Sequence, residues 1–196
     1  MKTEFEVMFY PVTVADMRQQ LERLGASCVR PMSMQRRVNL DLPPARHSPS
    51  RWLRVREEGD TVTLALKEIV KNTEGIERQK ELQIEVSDTE TTLAILQELG
   101  ASARSWQENR REIWRLGNVE VVIDEWPAIS PLVELEGPDE TSVQQAAEQL
   151  GFDWSSGIFA TVSVIYEREH NLSQKDFASI KKLNFKDGLP KAPLFV

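Results

Sequence analysis

The sequence predicts an α+β fold built on a closed, mostly antiparallel eight-stranded β-barrel, with a charged interior and helices packed on its outside. Three observations lead there. Charged residues stand at alternate positions in five separated stretches (Glu4 and Glu6; Arg54 and Arg56; Lys67; Glu81 and Glu85; Glu134 and Glu136), with apolar neighbours such as Phe5, Val7, Leu53, Val55, Leu82 and Ile84 between them. Side chains alternate faces along a strand, so each stretch has one apolar face and one ionic face. Three amphipathic helices carry both start and stop signals, and eight strands suffice to close a barrel whose inward side chains reach one small ligand. If the helices lie outside, the apolar strand faces point out to meet them and the charged faces line the bore. Any one stretch would look the same as a half-buried strand with a solvated polar face. The conjunction of acid-only and base-only strands from distant parts of the chain predicts ionic faces that meet, carboxylates placed to hold a cation and guanidinium and ammonium groups placed to hold an anion.

Taken in order, the strands are expected at 2–9, 34–42, 51–57, 61–69, 77–86, 108–116, 119–125 and 131–137. Hairpin turns fall at Glu58-Gly59-Asp60 and at Gly117-Asn118, where glycine supplies the backbone freedom of a tight reversal. The first helix starts at Thr13 with Asp16 three positions on and stops at Leu24-Gly25. The second starts with Ser87 and Glu90 and stops at Leu99-Gly100, and the third runs from near Asp139 to Leu150-Gly151. Leu24-Gly25-Ala26-Ser27 and Leu99-Gly100-Ala101-Ser102 are each followed, at nearly equal distance, by a pair of arginines, Arg36-Arg37 and Arg110-Arg111. That echo suggests a duplicated strand–helix–strand unit, although Leu-Gly also ends many unrelated helices.

Composition narrows the function. At 196 residues and 40% hydrophobic content the chain can bury a real core and reads as one domain with a C-terminal appendage. A formal net charge of -7 argues against a sequence-independent grip on long nucleic acid. No apolar run has the length of a membrane span, and acids stand where a secretory signal would have its apolar core, so a cytoplasmic protein is expected. The single cysteine, Cys28, excludes an intrachain disulfide and reads as a small buried apolar residue.

The residues resemble the CYTH superfamily, also called triphosphate tunnel metalloenzymes, which includes class IV adenylyl cyclases, thiamine triphosphatases and inorganic tripolyphosphatases. The resemblance spans residues 2–166 and rests on motifs in order: Glu4-Phe5-Glu6-Val7-Met8 for the opening Glu-x-Glu-x-Lys, then Leu53-Arg54-Val55-Arg56, Ala65-Leu66-Lys67, Lys80-Glu81-Leu82-Gln83-Ile84-Glu85, Arg110-Arg111-Glu112, Ile123-Asp124-Glu125 and Val133-Glu134-Leu135-Glu136. It implies a tunnel domain over 1–166, a helical extension over 167–196, and a triphosphate-containing small molecule clasped by bases beside Mg2+ or Mn2+ held by acids. Hard cations take oxygen donors, which Glu4, Glu6, Asp124, Glu134 and Glu136 would supply. Arginine forks match phosphate oxygens and lysine acts as a point charge, so Arg54, Arg56, Lys67 and Arg111 form the expected clasp. Lys67, Glu81 and Glu85 are the candidates for orienting or activating the nucleophile. With water as nucleophile the reaction is triphosphate hydrolysis; with the ribose 3′-hydroxyl of ATP it is cyclisation to cyclic AMP.

The chain departs from the family pattern at two points. Met8 stands where the opening motif has lysine, and Asn109 where a second tunnel base often precedes Arg111. Either Arg36, Arg37, Arg110 or Arg115 substitutes from a neighbouring strand, or the tunnel is weakened, with a non-catalytic polyphosphate- or nucleotide-binding module as the limiting case. Trp52 and Trp126, each beside a charged strand end, are candidates to line the tunnel mouth. The C-terminal stretch, with Ser173 and Asp176 as a capping pair and a Pro-containing tail over 188–193, is expected to plug one tunnel end or to pair two copies as a homodimer.

Overall fold

A computed structural model describes residues 1–70, 76 and 79–190. The predicted start of the fifth strand at 77–78 and the tail beyond 190 lie outside them. The strands are β1 (Lys2–Phe9), β2 (Ser27–Asp41), β3 (Arg51–Glu58), β4 (Thr61–Ile69), β5 (Gln79–Val86), β6 (Ser102–Leu116), β7 (Val119–Glu125), β8 (Leu132–Gly137) and a short β9 (Lys182–Leu183). The helices are α1 (Val14–Arg23), α2 (Thr89–Glu98), α3 (Glu140–Gln149), α4 (Ser163–His170) and α5 (Gln174–Ser179). Eight strands run β2-β3-β4-β5-β1-β8-β7-β6, and β6 pairs back onto β2 to close the barrel. Every pairing in that circuit is antiparallel; β9 adds to β6 in parallel.

The expected outward packing fails on β5, where Leu82 and Ile84 are 54% and 61% exposed, and holds elsewhere. On β1, Phe5, Val7 and Phe9 point out to an apolar cluster under α1 and α3, where Met17, Leu21, Val143, Ala146 and Ala147 meet Val121, Ile123, Val133 and Leu135. Under α2, Leu96 and Leu93 pack on Val38, Leu40, Leu53 and Val55. Burying such side chains stabilises by about 1.5–3 kcal/mol each, which holds the helices to the barrel wall. The repeated Leu-Gly motif is a repeated helix stop. Leu24, Leu99 and Leu150 each precede a glycine at positive φ (Gly25 +73°, Gly100 +91°, Gly151 +81°). In each case the next residue donates its N–H back to the last helical turn: Ala26 to Leu21, Ala101 to Leu96 and Phe152 to Ala147.

β2 and β6 are longer than the sequence pattern indicates. Each has 15 residues, they pair with one another along most of their length, and the pairing shifts register between Cys28 and Arg30, Arg30 and Ser33, and Asn39 and Leu40. These irregularities break the period-two signal at the start of β2. They also carry Cys28 out of the core: the thiol is exposed, contrary to the buried position expected for it.

Residues 158–183 cross one end of the barrel. Ile158 exchanges both backbone hydrogen bonds with Met8 (3.0 and 2.9 Å), starting the crossing at the end of β1. Ile165, Tyr166, Ile180 and Leu183 then join Met8, Trp126 and Leu132 in a second apolar cluster. The Tyr166 hydroxyl donates to the Pro127 carbonyl (2.7 Å), fixing α4 against the turn that follows β7. No helix of the described residues is long and apolar enough to cross a membrane.

Candidate functional site

The barrel encloses a cavity of about 890 Å3 lined by groups of both signs. Arg54 and Arg56 of β3, Lys67 of β4, Arg37 of β2 and Arg111 of β6 face it from the basic side; Glu4 and Glu6 of β1, Glu81 of β5, Glu120 of β7 and Glu134 and Glu136 of β8 face it from the acidic side. Strand register explains the meeting of residues far apart in sequence. Lys67 lies opposite Glu81, Glu6 opposite Glu136, and Met8 opposite Glu134.

The cations are incompletely matched. Lys67 Nζ bridges Glu4 and Glu81, both at 3.1 Å, and Arg54 reaches Glu81 at 3.0 Å. Arg56 has Glu58 at 3.4 Å, and Arg111 forms a fork to Asp124 (2.8 and 2.5 Å) and extends to Glu134 (2.7 Å). Arg37 is held by amide oxygens, those of Gln35 and Asn109, and its guanidinium lies over the Trp126 ring at 4.8 Å. The Nε atoms of Arg37, Arg54 and Arg56 are buried with no hydrogen-bond partner. Burial, followed by the charges of Arg111, Arg54 and Arg56, lowers the Arg37 pKa well below the ordinary value; burial with Arg54 and Arg111 brings Arg56 down to about 10. Burial would lower Arg111 too, but Asp124 and Glu134 outweigh it and raise it well above the ordinary value. In such a cluster the like charges disfavour one another.

The acids show the complementary strain. Burial pushes Glu6 up to about 7 against the pull of Lys67, with Glu134 and Glu136 adding to the rise. Burial and then Glu120, its cross-strand neighbour, raise Glu136. Burial and a hydrogen bond to Glu81 push Glu4 up to about 8. Glu81 goes the other way: burial would raise it, but the Glu4 hydrogen bond, Arg54 and Lys67 hold it down at about 2.

The candidate residues divide by placement. Arg37, Arg54, Arg56, Lys67, Arg111, Glu4, Glu6, Glu81, Glu134 and Glu136 line the cavity. Asp124 is fully buried beneath it, both oxygens taken by Arg111 and one also by Asn109 (3.0 Å), so it stands as the partner of Arg111 with no open face toward a metal. Glu85 is exposed on the far part of β5, beyond the stretch paired with β1, and lies off the cavity wall. Of the four arginines expected to replace the missing bases, Arg36, Arg110 and Arg115 form half-exposed or exposed pairs with Glu108, Glu125 and Glu120. Arg37 alone of the four lines the cavity, and the amide of Asn109 holds it. Trp52 and Trp126 both line the cavity, at the end where residues 160–163 and 174–178 cross it. Sequence reading missed Glu120 and residues 160–163; the alternation Glu120-Val121-Val122-Ile123-Asp124 carried a partial signal for the first.

Among the described residues no group of three acidic, histidine or cysteine side chains is placed to hold a metal by itself. Magnesium seldom asks for that, since it is usually held by one or two carboxylates together with substrate phosphates and water. Glu6, Glu134 and Glu136 form an all-oxygen donor set in which Glu6 and Glu136 face each other directly and destabilise one another as like charges. That donor chemistry fits a hard divalent cation.

The fold is shared with several solved structures. The PH1012 protein from Pyrococcus horikoshii OT3 superposes with a TM-score of 0.67 at 25% identity, over 81% of this chain and 96% of that one. A putative adenylate cyclase from Vibrio parahaemolyticus gives a TM-score of 0.68 at 13% identity, covering 85% and 98% of the two chains. A putative adenylyl cyclase from Hippeastrum, described as having a dominant triphosphatase activity, gives 0.54 at 14% identity, covering 85% and 94%. No curated protein sequence matches the chain. The sequence model of the CYTH domain matches residues 40–161, which carry most of the barrel and most of the charged wall just described, and the chain therefore belongs to the CYTH family.

Proposed function

We propose that the barrel interior binds a triphosphate-containing substrate and hydrolyses it in the presence of Mg2+ or Mn2+. The observation that supports this most is the cluster of Arg37, Arg54, Arg56 and Arg111 around one cavity, with three buried Nε–H groups left without an acceptor. Buried donors without partners cost free energy, and phosphate oxygens satisfy them with charge-assisted bonds. Family membership supports the same reading, because the relatives named above include proteins described as adenylate cyclases and one described as a triphosphatase.

In this reading the arginines and Lys67 hold the phosphates and offset negative charge as it redistributes during transfer. Glu6, Glu134 and Glu136 would hold the divalent cation, which with phosphate oxygens as its other ligands supplies further charge neutralisation. Water adds to the terminal phosphorus as its bond to the bridging oxygen breaks, giving phosphate and the shortened chain. Glu81, paired with Arg54 and Lys67, holds both cations in place and is the candidate to orient that water. The second reading, cyclisation of ATP, uses the same clasp with the ribose 3′-hydroxyl in place of water.

A phosphate-release screen over tripolyphosphate, ATP and thiamine triphosphate, with each metal and with cyclic AMP measured in the ATP samples, tests the proposal. Phosphate without cyclic AMP is the expected result. Cyclic AMP would move the assignment to a cyclase, and binding without either product would leave a non-catalytic module.

A further inference from the structure

The barrel rim away from the crossing segment is uneven at β5. β1 pairs with β5 only from Lys2, opposite Glu81, to Glu4, opposite Gln79, while β4 pairs with β5 along its whole length as far as Val86. Among the described residues, therefore, the backbone of residues 82–86 has a strand on one side and none on the other. The N–H and C=O groups on the open side are a template for a further strand, and edges that stay free are commonly blunted by lysine, proline or a bulge. Here the edge reads Leu82-Gln83-Ile84-Glu85-Val86, in unbroken register with β4.

The outer face of the same edge is apolar and uncovered. Across β3, β4 and β5, Leu53, Leu66 and Leu82 stand in one row, and Val55, Leu64 and Ile84 in the next. α2 covers the β3 end of these rows, where Leu93 and Leu96 join Leu53, Val55 and Leu64 in one cluster. Cover is lost toward β5, leaving Val55 at 1% exposure but Leu82 and Ile84 more than half exposed. An open backbone edge and an exposed apolar face on the same five residues fit a partner that brings both a strand and apolar side chains.

We propose that this partner is a second copy of the chain, its β5 pairing antiparallel with β5 of the first about a two-fold axis through Ile84. Register selects that arrangement. Residues directly opposite in an antiparallel pair share a face, so a two-fold axis normal to the sheet must pass through a residue of β5. With the axis at Ile84, Leu82 meets Val86, Ile84 meets its own copy, and Gln83 meets Glu85, an amide placed to donate to a carboxylate. The charges at the ends match as well, since Lys80 falls opposite Asp88, which is still extended at φ -161° and ψ 159°. An axis at Gln83 sets Glu81 against Glu85, and one at Glu85 sets that acid against itself; both registers bring like charges together. Gln83 lines the cavity mouth, so the favoured register brings Glu85 of the other copy to that rim. The pairing needs no substrate and stands apart from the triphosphate reading.

Sedimentation of the intact protein from about 1 to about 100 μM, the range in which a modest interface titrates, tests this. Wild type is expected to reach twice the 22.4 kDa chain mass. Ile84→Glu changes an exposed residue and sets like charges on the axis; it is expected to weaken association by at least about a hundredfold while the protein still melts cooperatively. Two cysteine variants read the register, in a Cys28→Ser background that removes the exposed native thiol. Ile84→Cys is expected to give a disulfide-linked dimer under mild oxidant, whereas Gln83→Cys, whose two copies lie a diagonal apart, is not. A monomer at every concentration overturns the second copy as occupant. A dimer that Ile84→Glu leaves intact overturns the β5 edge and gives the dimer to another surface. Crosslinking through Gln83→Cys as complete as through Ile84→Cys overturns the register.

Discussion

Arg111 and Glu112 are neighbours on β6 that point to opposite sides of the barrel wall, and their surroundings differ in kind. Outside, Glu112 is closed: Arg18 of α1 binds it through Nε (3.0 Å) and Nη2 (2.7 Å), and the Trp114 indole donates to it at 2.7 Å. Burial would raise its pKa, but the Arg18 and Trp114 hydrogen bonds outweigh that and lower it. Inside, Arg111 is bound by Asp124 and Glu134, but the arginines around it, Arg37, Arg54 and Arg56, keep buried Nε–H donors without a partner. A group satisfied on every side stabilises the fold and does nothing else, whereas one that is buried, charged and short of partners has been left for something that binds.

The strongest way to break this contrast is at the joint between the two networks. Asp124→Ala leaves Arg111 buried with Glu134 as its remaining carboxylate, and breaking a buried pair from one side costs about 3–5 kcal/mol; a denaturant melt should show a loss of that order. Met8→Lys comes next. Met8 shares a face with Glu4 and Glu6 and lies opposite Glu134, yet it packs against Trp126, Leu132 and Ile158. Its replacement should cost about 2–3 kcal/mol in the melt, with no gain in tripolyphosphate affinity, because the ammonium enters an apolar contact.

A sharper separation comes from Arg56→Met. Removing a like charge from the interior should leave stability unchanged or slightly raised, while affinity for tripolyphosphate falls by about 1–3 kcal/mol, the worth of a charge-assisted bond. Glu112→Gln should do the reverse, lowering stability by about 1–2 kcal/mol and leaving tripolyphosphate affinity at the wild-type value. The smallest effect is on pH dependence. Glu112 titrates lower folded than unfolded, so its contribution is full above about pH 4.3 and is lost as pH falls through its folded value. Acid melts of wild type and Glu112→Gln should therefore converge below that range.

The parts of the site that were legible in the sequence are those set by alternation. Glu4 and Glu6, Arg54 and Arg56, and Glu134 and Glu136 announce their shared face because period two holds on strands whose other face is apolar. Which strand meets which is a matter of register, and register is absent from local pattern; hence Asp124 reads as a metal donor until Arg111 is seen opposite it. Glu85 follows the alternation but lies past the last residue of β5 that pairs with β1, so it stays outside the enclosed cavity. The early part of β2 is hidden by bulges and by Pro31, and the part of the barrel-end crossing made by residues 160–163 leaves no mark in a stretch of small and polar residues.

The claim at the centre is that the unpartnered interior arginines await a polyphosphate chain. Titration of the intact protein with tripolyphosphate and with orthophosphate, in Mg2+, measures this most directly. Tripolyphosphate should bind at least about a hundredfold more tightly, since two further phosphates each add a charge-assisted contact, and Arg56→Met should remove part of that difference. Equal affinity for the two anions, or an unchanged difference in the variant, would contradict it.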